Sequence, residues 1–227
     1  MNKKLIIALS SFTLLGGMAI GAGAAPILEK ITANLNWGIN YNISGKAWSP
    51  VDQNGKKLAA ITYNNTTYLP VRSVGEALGV AVDYNGSSQT LTLGEKSDTT
   101  PITSEKIVTD YSSYVTKDKQ FTVQQEKDYI SGVIMKQINS ADKEFNIHTE
   151  GKYQKLEVSV FPVDVKTDIS VRILDGDVLL KEIIFGSSDK IQTASFDIGA
   201  AKKLTIEADT LKVTGTDSSI FLTGDLK

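Results

Sequence analysis

The chain of 227 residues contains no cysteine and a single histidine, and aromatic residues make up only 7% of it. Disulfides, thiolate nucleophiles and cysteine zinc ligands are therefore excluded, as is any site that needs several imidazoles. Basic and acidic side chains number 24 and 26, without a basic run, so nucleic acid is not an expected partner. Because 41% of the residues are apolar, the chain can still form a core. No cofactor and no metal are expected.

The N-terminus has the pattern of a secretory signal peptide. Two lysines precede an uncharged run from Leu5 to Leu28, whose first half is strongly apolar, and Ala22 and Ala24 form an A-x-A end. The pattern predicts a signal peptide over residues 1–24, with cleavage between Ala24 and Ala25. A retained membrane anchor is the alternative, because a run of this length can span a bilayer. We expect an exported, cell-wall-associated protein without a membrane span after cleavage.

A polar segment, EKSDTTPITSEK, divides the remaining chain. Its Ser, Thr, Asp and Pro residues compete with regular backbone pairing, so residues 95–106 are predicted to form a linker. The linker separates a first domain, residues 25–94, from a second, residues 107–227. The alternative is a long surface loop within one domain, although such loops are uncommon in compact folds.

The sequence pattern of the first domain predicts strands, a hairpin, a helix and a second hairpin, in this order. Two strand-like runs, AITY and TTYL, flank Asn64 and Asn65, which tolerate the positive φ angles of a tight turn. Pro70 then presets a short helix, and Gly79 is placed to end it. Its apolar face is predicted from the i, i+3, i+7 spacing of Val71, Val74 and Leu78. This order predicts a small α+β domain of antiparallel strands plus one short helix.

The string TYLPVRSVGEALGVAVDYNGSSQTLTLG resembles the copper amine oxidase N-terminal, or stalk, domain of exported Gram-positive proteins. The resemblance covers about residues 30–94 and is clearest over 60–94. The matching residues are Leu69, Pro70, Val71, Arg72, Ala77, Leu78, Gly79, Val82, Tyr84, Thr90 and Leu91. In the oxidases this domain is an appendage, and the chemistry belongs to a distant domain with three copper-binding histidines. This chain has only His148, so the resemblance implies a non-catalytic module without copper.

The second domain shows short alternating runs at the spacing of an all-β protein. In KLEVSVF, Leu156, Val158 and Val160 share one face, whereas Glu157 and Ser159 take the other. The pattern predicts a jelly-roll-like sandwich. Its strands are expected near residues 121–123, 129–135, 155–161, 169–174, 178–185, 193–198, 202–208 and 219–224.

Residues 169–208, which include SVRILDGDVLLKEIIF and FDIGAAKKLTIEA, weakly resemble the family of novel carbohydrate-binding modules of bacteria. The resemblance implies sugar recognition, which depends on aromatic platforms. The closing strand, SSIFLTGDLK, lacks the His or Trp that this family usually carries there. The candidate glycan-stacking residues are Trp37, Trp48, Tyr129 and Tyr153, with core packing as the alternative for each.

A candidate calcium site is formed by Asp175 and Asp177 around Gly176, because calcium favours clustered carboxylates. An ordinary Asp-Gly turn is the alternative.

No catalytic residue is predicted, since the nucleophile-elbow, phosphate-loop and zinc-protease motifs are all absent. The sequence thus predicts a non-catalytic envelope protein that binds a cell-wall polymer or another polysaccharide. A structural scaffold that contacts envelope proteins is the alternative.

Overall fold

The computed structural model of the chain describes residues 28–139, 143–212 and 215–227. The predicted signal peptide, with its cleavage residues Ala24 and Ala25, lies outside the described residues. Within these ranges the chain forms a small N-terminal α+β module and a β-sandwich, so the predicted β-rich fold of two modules is confirmed. No helix of these ranges is long and apolar enough to cross a membrane.

The N-terminal module contains seven short strands and one helix. A three-stranded sheet has the order β1-β4-β5, and β2-β3 and β6-β7 are separate antiparallel hairpins. Asn64 and Asn65 have φ angles of 46° and 60°, which confirms the predicted tight turn. The bounds are β1 Asn34–Asn36, β2 Tyr41–Ile43, β3 Lys46–Trp48, β4 Ala60–Tyr63, β5 Thr66–Tyr68, α1 Val71–Leu78, β6 Val82–Asn85 and β7 Thr90–Leu93.

Helix α1 ends as predicted, at Gly79 in the left-handed conformation, but its buried residues are not those of the predicted apolar face. Ser73 and Gly75 are its buried residues, whereas Leu78 at the end of the apolar stripe is 56% exposed. A side chain on Gly75 would lie 2.3 Å from the Val82 Cγ2 atom, so the small residue lets the helix approach β6. The two ends of the predicted apolar face, Val71 and Leu78, are therefore exposed, whereas Val74 between them is half-buried.

The second module is a sandwich of two antiparallel sheets. One sheet has the order β10-β13-β20-β15-β18, with β8 also paired to β20, and the other has the order β17-β16-β19-β14-β9. The bounds are β8 Thr100–Pro101, β9 Lys106–Thr109, β10 Ser113–Thr116, α2 Lys119–Thr122, β11 Val123–Gln124, β12 Lys127–Asp128, β13 Gly132–Ile138, β14 Lys143–His148, β15 Lys155–Asp164, β16 Ile169–Asp175, β17 Val178–Phe185, β18 Gln192–Asp197, β19 Lys203–Thr210 and β20 Ser218–Leu226.

The main core lies between the two sheets. On β15, Leu156, Val158 and Val160 are fully buried, as their alternation predicts. A second, smaller cluster forms on the outer face of the six-stranded sheet, where Ile134, Phe161 and Phe221 are also buried. The sandwich therefore has one interior core and one external apolar cluster.

The external cluster is covered by an excursion of the chain between β10 and β13. It contains α2 and the short β11-β12 hairpin. The carboxylate of Asp118 accepts a hydrogen bond of 2.9 Å from the Gln120 amide and so caps α2 at its N-terminus. The strand predicted at 121–123 is therefore wrong for its first two residues, because this cap starts a helical turn.

The segment that follows the N-terminal module is partly integrated into the sandwich. Thr100 and Pro101 pair with β20, and Ile102 is buried in the main core. The two modules also contact each other through Gln154, whose side chain accepts a hydrogen bond from the Ala81 amide and donates one to the Gly79 carbonyl. The chain thus passes from one module to the other through ordered, hydrogen-bonded structure.

Candidate functional site

An open cleft of about 710 Å³ lies on the outer face of the six-stranded sheet, beside the external apolar cluster. Strands β15, β18 and β20 form its floor, and the excursion between β10 and β13 forms one wall. Its charged lining residues are Lys117, Lys127, Asp128, Glu157 and Asp225. The cleft is open to solvent and mixed in polarity, which suits a polar ligand.

The floor of the cleft is a row of hydroxyl groups across three strands. In the strand register, Ser159 lies opposite Thr193 on one side and opposite Thr223 on the other. The Ser159 and Thr193 hydroxyls are 3.2 Å apart, and Thr223 donates a hydrogen bond of 2.9 Å to the Ser131 carbonyl. Since successive residues of a strand alternate between faces, burial of the apolar β15 residues directs Ser159 into the cleft.

A second polar row lies one pleat further along the same strands. Glu157 is opposite Asp225 in the register, and both side chains line the cleft. The Lys227 ammonium group donates a 2.9 Å hydrogen bond to Glu157, which lowers the pKa of this carboxyl below its usual value. Glu157 is therefore an anionic hydrogen-bond acceptor at neutral pH.

The aromatic wall of the cleft is Tyr129. Its ring meets the edge of Phe161, with a centroid separation of 4.9 Å and an interplanar angle of 62°. The Lys127 ammonium group lies 4.4 Å from the ring centroid. Nearby, the Ile130 amide donates a hydrogen bond to Asp128 and lowers the pKa of that carboxyl. The wall thus presents a half-buried ring flanked by one cation and one carboxylate.

Of the four aromatic residues predicted to stack on sugars, the structure places one in this cleft, Tyr129. Trp37 is 66% exposed on the N-terminal module. Trp48 is half-buried and packs edge-on against Tyr41, with centroids 5.6 Å apart. Tyr153 is only 3% exposed and lies at the contact between the modules. The four residues do not form a common aromatic row.

The two aspartates predicted to bind calcium are exposed at a hairpin. Asp175 ends β16, and Gly176 and Asp177 form the turn to β17. In the part of the chain that the structure describes, no group of three or more His, Cys, Asp or Glu side chains could hold a metal ion. Asp175 and Asp177 therefore flank Gly176 in a two-residue Gly-Asp hairpin turn, one residue later than the predicted Asp-Gly turn. His148 lies on β14, with its Nδ1 atom 3.8 Å from Glu150.

The hydroxyl row was not identified as a site from the sequence. The signal was present in part, because the alternation of β15 already assigned Glu157 and Ser159 to the face opposite the core. Thr193 and Thr223 carry no comparable signal, since their positions beside Ser159 depend on strand pairing between distant parts of the chain. Pairing of distant strands therefore assembles the cleft.

Tyr153 is fixed between the modules rather than open to a ligand. Its hydroxyl donates a hydrogen bond to the Glu105 carboxylate, and the Lys152 ammonium group donates to the same carboxylate at 2.8 Å. The Lys96 ammonium group lies 4.3 Å from the ring centroid. Burial, together with the hydrogen bond to Glu105, raises the pKa of Tyr153 to about 12.

This raised pKa predicts a loss of stability at alkaline pH. The folded protein holds the phenolic proton more tightly than the unfolded chain, in which tyrosine titrates near 10.0. The stabilisation is complete below that pH and is lost as the pH rises toward the folded-state pKa. Tyr153→Phe has no such proton, so the wild type should lose more stability than this variant as the pH rises from about 10 toward about 12. Urea unfolding of both proteins measures the difference, and parallel losses would contradict the prediction.

One family profile and several solved structures match parts of the chain. The sequence profile of the copper amine oxidase N-terminal domain matches residues 51–158, which extend from the N-terminal module across the contact between the modules and into β15. No curated protein sequence matches the chain. The profile match overlaps the predicted resemblance over residues 51–94, does not include residues 30–50, and continues to residue 158.

Three solved structures illustrate the similar folds. The M60 catalytic domain with two CBM51 domains of Clostridium perfringens ZmpB is 16% identical, with a TM-score of 0.43, over 65% of this chain and 17% of that one. A CBM51 from Clostridium perfringens GH95, in complex with methyl-galactose, is 17% identical, with a TM-score of 0.40, over 54% of this chain and 92% of that one. The K1 adhesin domain of Lys-gingipain from Porphyromonas gingivalis W83 is 12% identical, with a TM-score of 0.36, over 57% of this chain and 98% of that one. The chain thus combines a β-sandwich with a match, over residues 51–158, to the copper amine oxidase N-terminal domain family.

Proposed function

We propose that this chain is a non-catalytic, exported carbohydrate-binding protein whose sandwich holds a glycan in the outer cleft. The observation that carries the proposal is the hydroxyl row of Thr193, Ser159 and Thr223 along an open cleft with Tyr129 in its wall. A sugar presents hydroxyls that both donate and accept hydrogen bonds, and serine and threonine hydroxyls do the same. A row of them across three strands therefore offers repeated partners to a saccharide.

The charges of the cleft favour a neutral glycan. The lining of the cleft contains three carboxylates and two ammonium groups, so a polyanionic glycan would gain little electrostatic attraction there. Glu157, held anionic by Lys227, and Asp225 accept hydrogen bonds from sugar hydroxyls, and such charge-assisted bonds are stronger than neutral ones. The ring of Tyr129 offers an apolar surface to the C–H groups of a sugar.

Export and a place in the cell envelope belong to the same proposal. They are supported by the N-terminal pattern, with cleavage expected between Ala24 and Ala25. We further propose the division into residues 25–94, 95–106 and 107–227, with ordered structure from Thr100 onward anchoring the connection to β20.

The cleft is tested by two variants with the same chemical change. Glu157→Gln removes the anionic acceptor from the cleft, and Glu144→Gln makes the same change on the exposed side of the other sheet. Against a panel of neutral and acidic polysaccharides, we expect calorimetric titration to detect a neutral glycan. E157Q should weaken its binding about tenfold, as expected for a hydrogen bond to a charged group.

The control variant, E144Q, should bind like the wild type. The absence of heat from every polysaccharide, with no retention of the protein on isolated cell walls, would overturn the proposal. If E157Q and the wild type bind the glycan with equal affinity, the glycan does not bind in this cleft.

A structural, protein-interaction role is the second candidate function. A different surface favours it, since the three-stranded sheet of the N-terminal module exposes an apolar face with Trp37 at its margin.

A further inference from the structure

The N-terminal module has an unusually small apolar core. Within residues 28–94, the buried aliphatic and aromatic side chains are Ala60, Ala81 and Val82, beside one buried proline, Pro50. Domains of this size ordinarily bury roughly 60% of the surface that their unfolded chains expose. Because Ala81 and Val82 belong to the side that contacts the sandwich, the rest of the module has almost no interior of its own.

Several apolar residues of the module are exposed instead of buried, and they lie together on one face of the three-stranded sheet. In the register, Ile61 lies opposite Leu35 on one side and opposite Tyr68 on the other, so one row crosses all three strands. Trp37 and Leu69 join this row around a groove of about 530 Å³. We call these five residues the apolar face, and each is between 41% and 66% exposed.

The chemistry of the apolar face suits a protein better than a sugar. The polar side-chain groups around its groove are those of Lys56, Lys57, Trp37 and Tyr68, and the remaining lining is aliphatic or proline. A sugar would leave most of its hydroxyls without partners on such a surface. Lys56 and Lys57 can extend their stems over the margin and keep their ammonium groups in water.

The size of the apolar face also points to a protein partner. Five side chains with these exposed fractions present several hundred Å² of apolar surface, which is comparable to the largest contiguous patch of a typical monomer, and patches of that size often have a function. Two copies of such a face, together with their margins, approach the ~1,000 Å² of total area that a specific interface needs.

We propose that this face is the interface with a second copy of the chain. A module with so small a core gains stability whenever a partner covers its apolar face. A second copy of the chain can do this in every molecule, because it is always present at the same concentration. Face-to-face packing of the two three-stranded sheets about a two-fold axis brings the same surface onto itself and makes a small sandwich. The apolar face shares no residue with the glycan cleft, so this proposal does not depend on sugar binding.

The absence of native cysteine permits a direct test. Ile61→Cys places one thiol at the centre of the apolar face, and Ile184→Cys places one at an exposed isoleucine on the sandwich. On mild oxidation of the full chain, I61C should form a covalent dimer much faster than I184C. In sedimentation, the wild type should be a dimer, and Ile61→Glu should weaken the association at least about tenfold, with Ile184→Glu as the unchanged control.

A monomeric wild type at micromolar concentration would overturn the proposal. So would equal rates of covalent dimer formation in I61C and I184C, and this comparison remains decisive if I61E fails to fold. If the wild type is monomeric and a polysaccharide changes the fluorescence of Trp37, the face is a sugar site instead.

Discussion

Replacing Phe161 with alanine is expected to reduce the free energy of unfolding by about 3–5 kcal/mol. Phe161 is 1% exposed and contacts Phe221 and Tyr129, with centroid separations of 5.9 Å and 4.9 Å. Truncation removes buried apolar surface and leaves a cavity that the rigid six-stranded sheet cannot close. The loss should therefore fall at the upper end of single core substitutions.

Phe161→Leu is the matched control for this prediction. It keeps an apolar side chain in the cluster and should cost about 1–2 kcal/mol. Chemical unfolding of both variants provides the measurement. If F161A costs less than 1 kcal/mol, the external cluster is not packed as described. Because the same ring supports Tyr129, F161A should also weaken glycan binding, whereas F161L should largely retain it.

Gly132→Ala is expected to destabilise the protein by about 1–3 kcal/mol, although glycine-to-alanine changes often stabilise. A side chain built on Gly132 would lie 2.4 Å from the ring of Phe221 and 2.5 Å from the Leu222 carbonyl oxygen. The ring is fully buried, and the carbonyl belongs to the paired strand β20, so neither can move easily. The clash outweighs the reduced entropy of the unfolded chain.

Gly86→Ala is the control for Gly132→Ala. Gly86 has no positive φ angle, and the nearest atom to an added side chain is the Tyr84 Cε1 atom at 4.0 Å. G86A should therefore leave the unfolding midpoint unchanged or raise it slightly. A G132A protein as stable as G86A would contradict the close approach of β13 and the Phe221 ring.

Local features of the fold were predictable because neighbouring residues decide them. The positive φ angles of Asn64 and Asn65 and the left-handed end of α1 at Gly79 follow from the side chains at those positions. The strand predicted at 121–123 failed for a related reason, since its apolar and β-branched residues favour a strand but Asp118 caps a helical turn. Local signals then compete, and the capping interaction prevails.

The burial of α1 shows where a local pattern is insufficient. The spacing of Val71 and Leu78 correctly indicates an amphipathic helix, yet strand β6 contacts the side that carries Gly75. Close approach of two backbones depends on which elements meet, and the sequence of the helix alone does not contain that information. The same limit applies to Tyr153, whose burial follows from its packing in the main core of the sandwich.

By itself, the sequence determined the β-rich composition of two modules, the turns, the alternation along β15 and the absence of cysteine and histidine clusters. These properties depend on residue type and on spacing within a few positions. The tertiary structure alone decided that Ser159 meets Thr193 and Thr223 in one cleft, and that Leu35, Ile61 and Tyr68 form one exposed row. The cleft arises from pairing between strands that are distant in the chain, and so does the pairing of Leu35 with Ile61, whereas Ile61 and Tyr68 already face each other within one hairpin. Such pairing minimises the free energy of the whole fold, so no single segment specifies it.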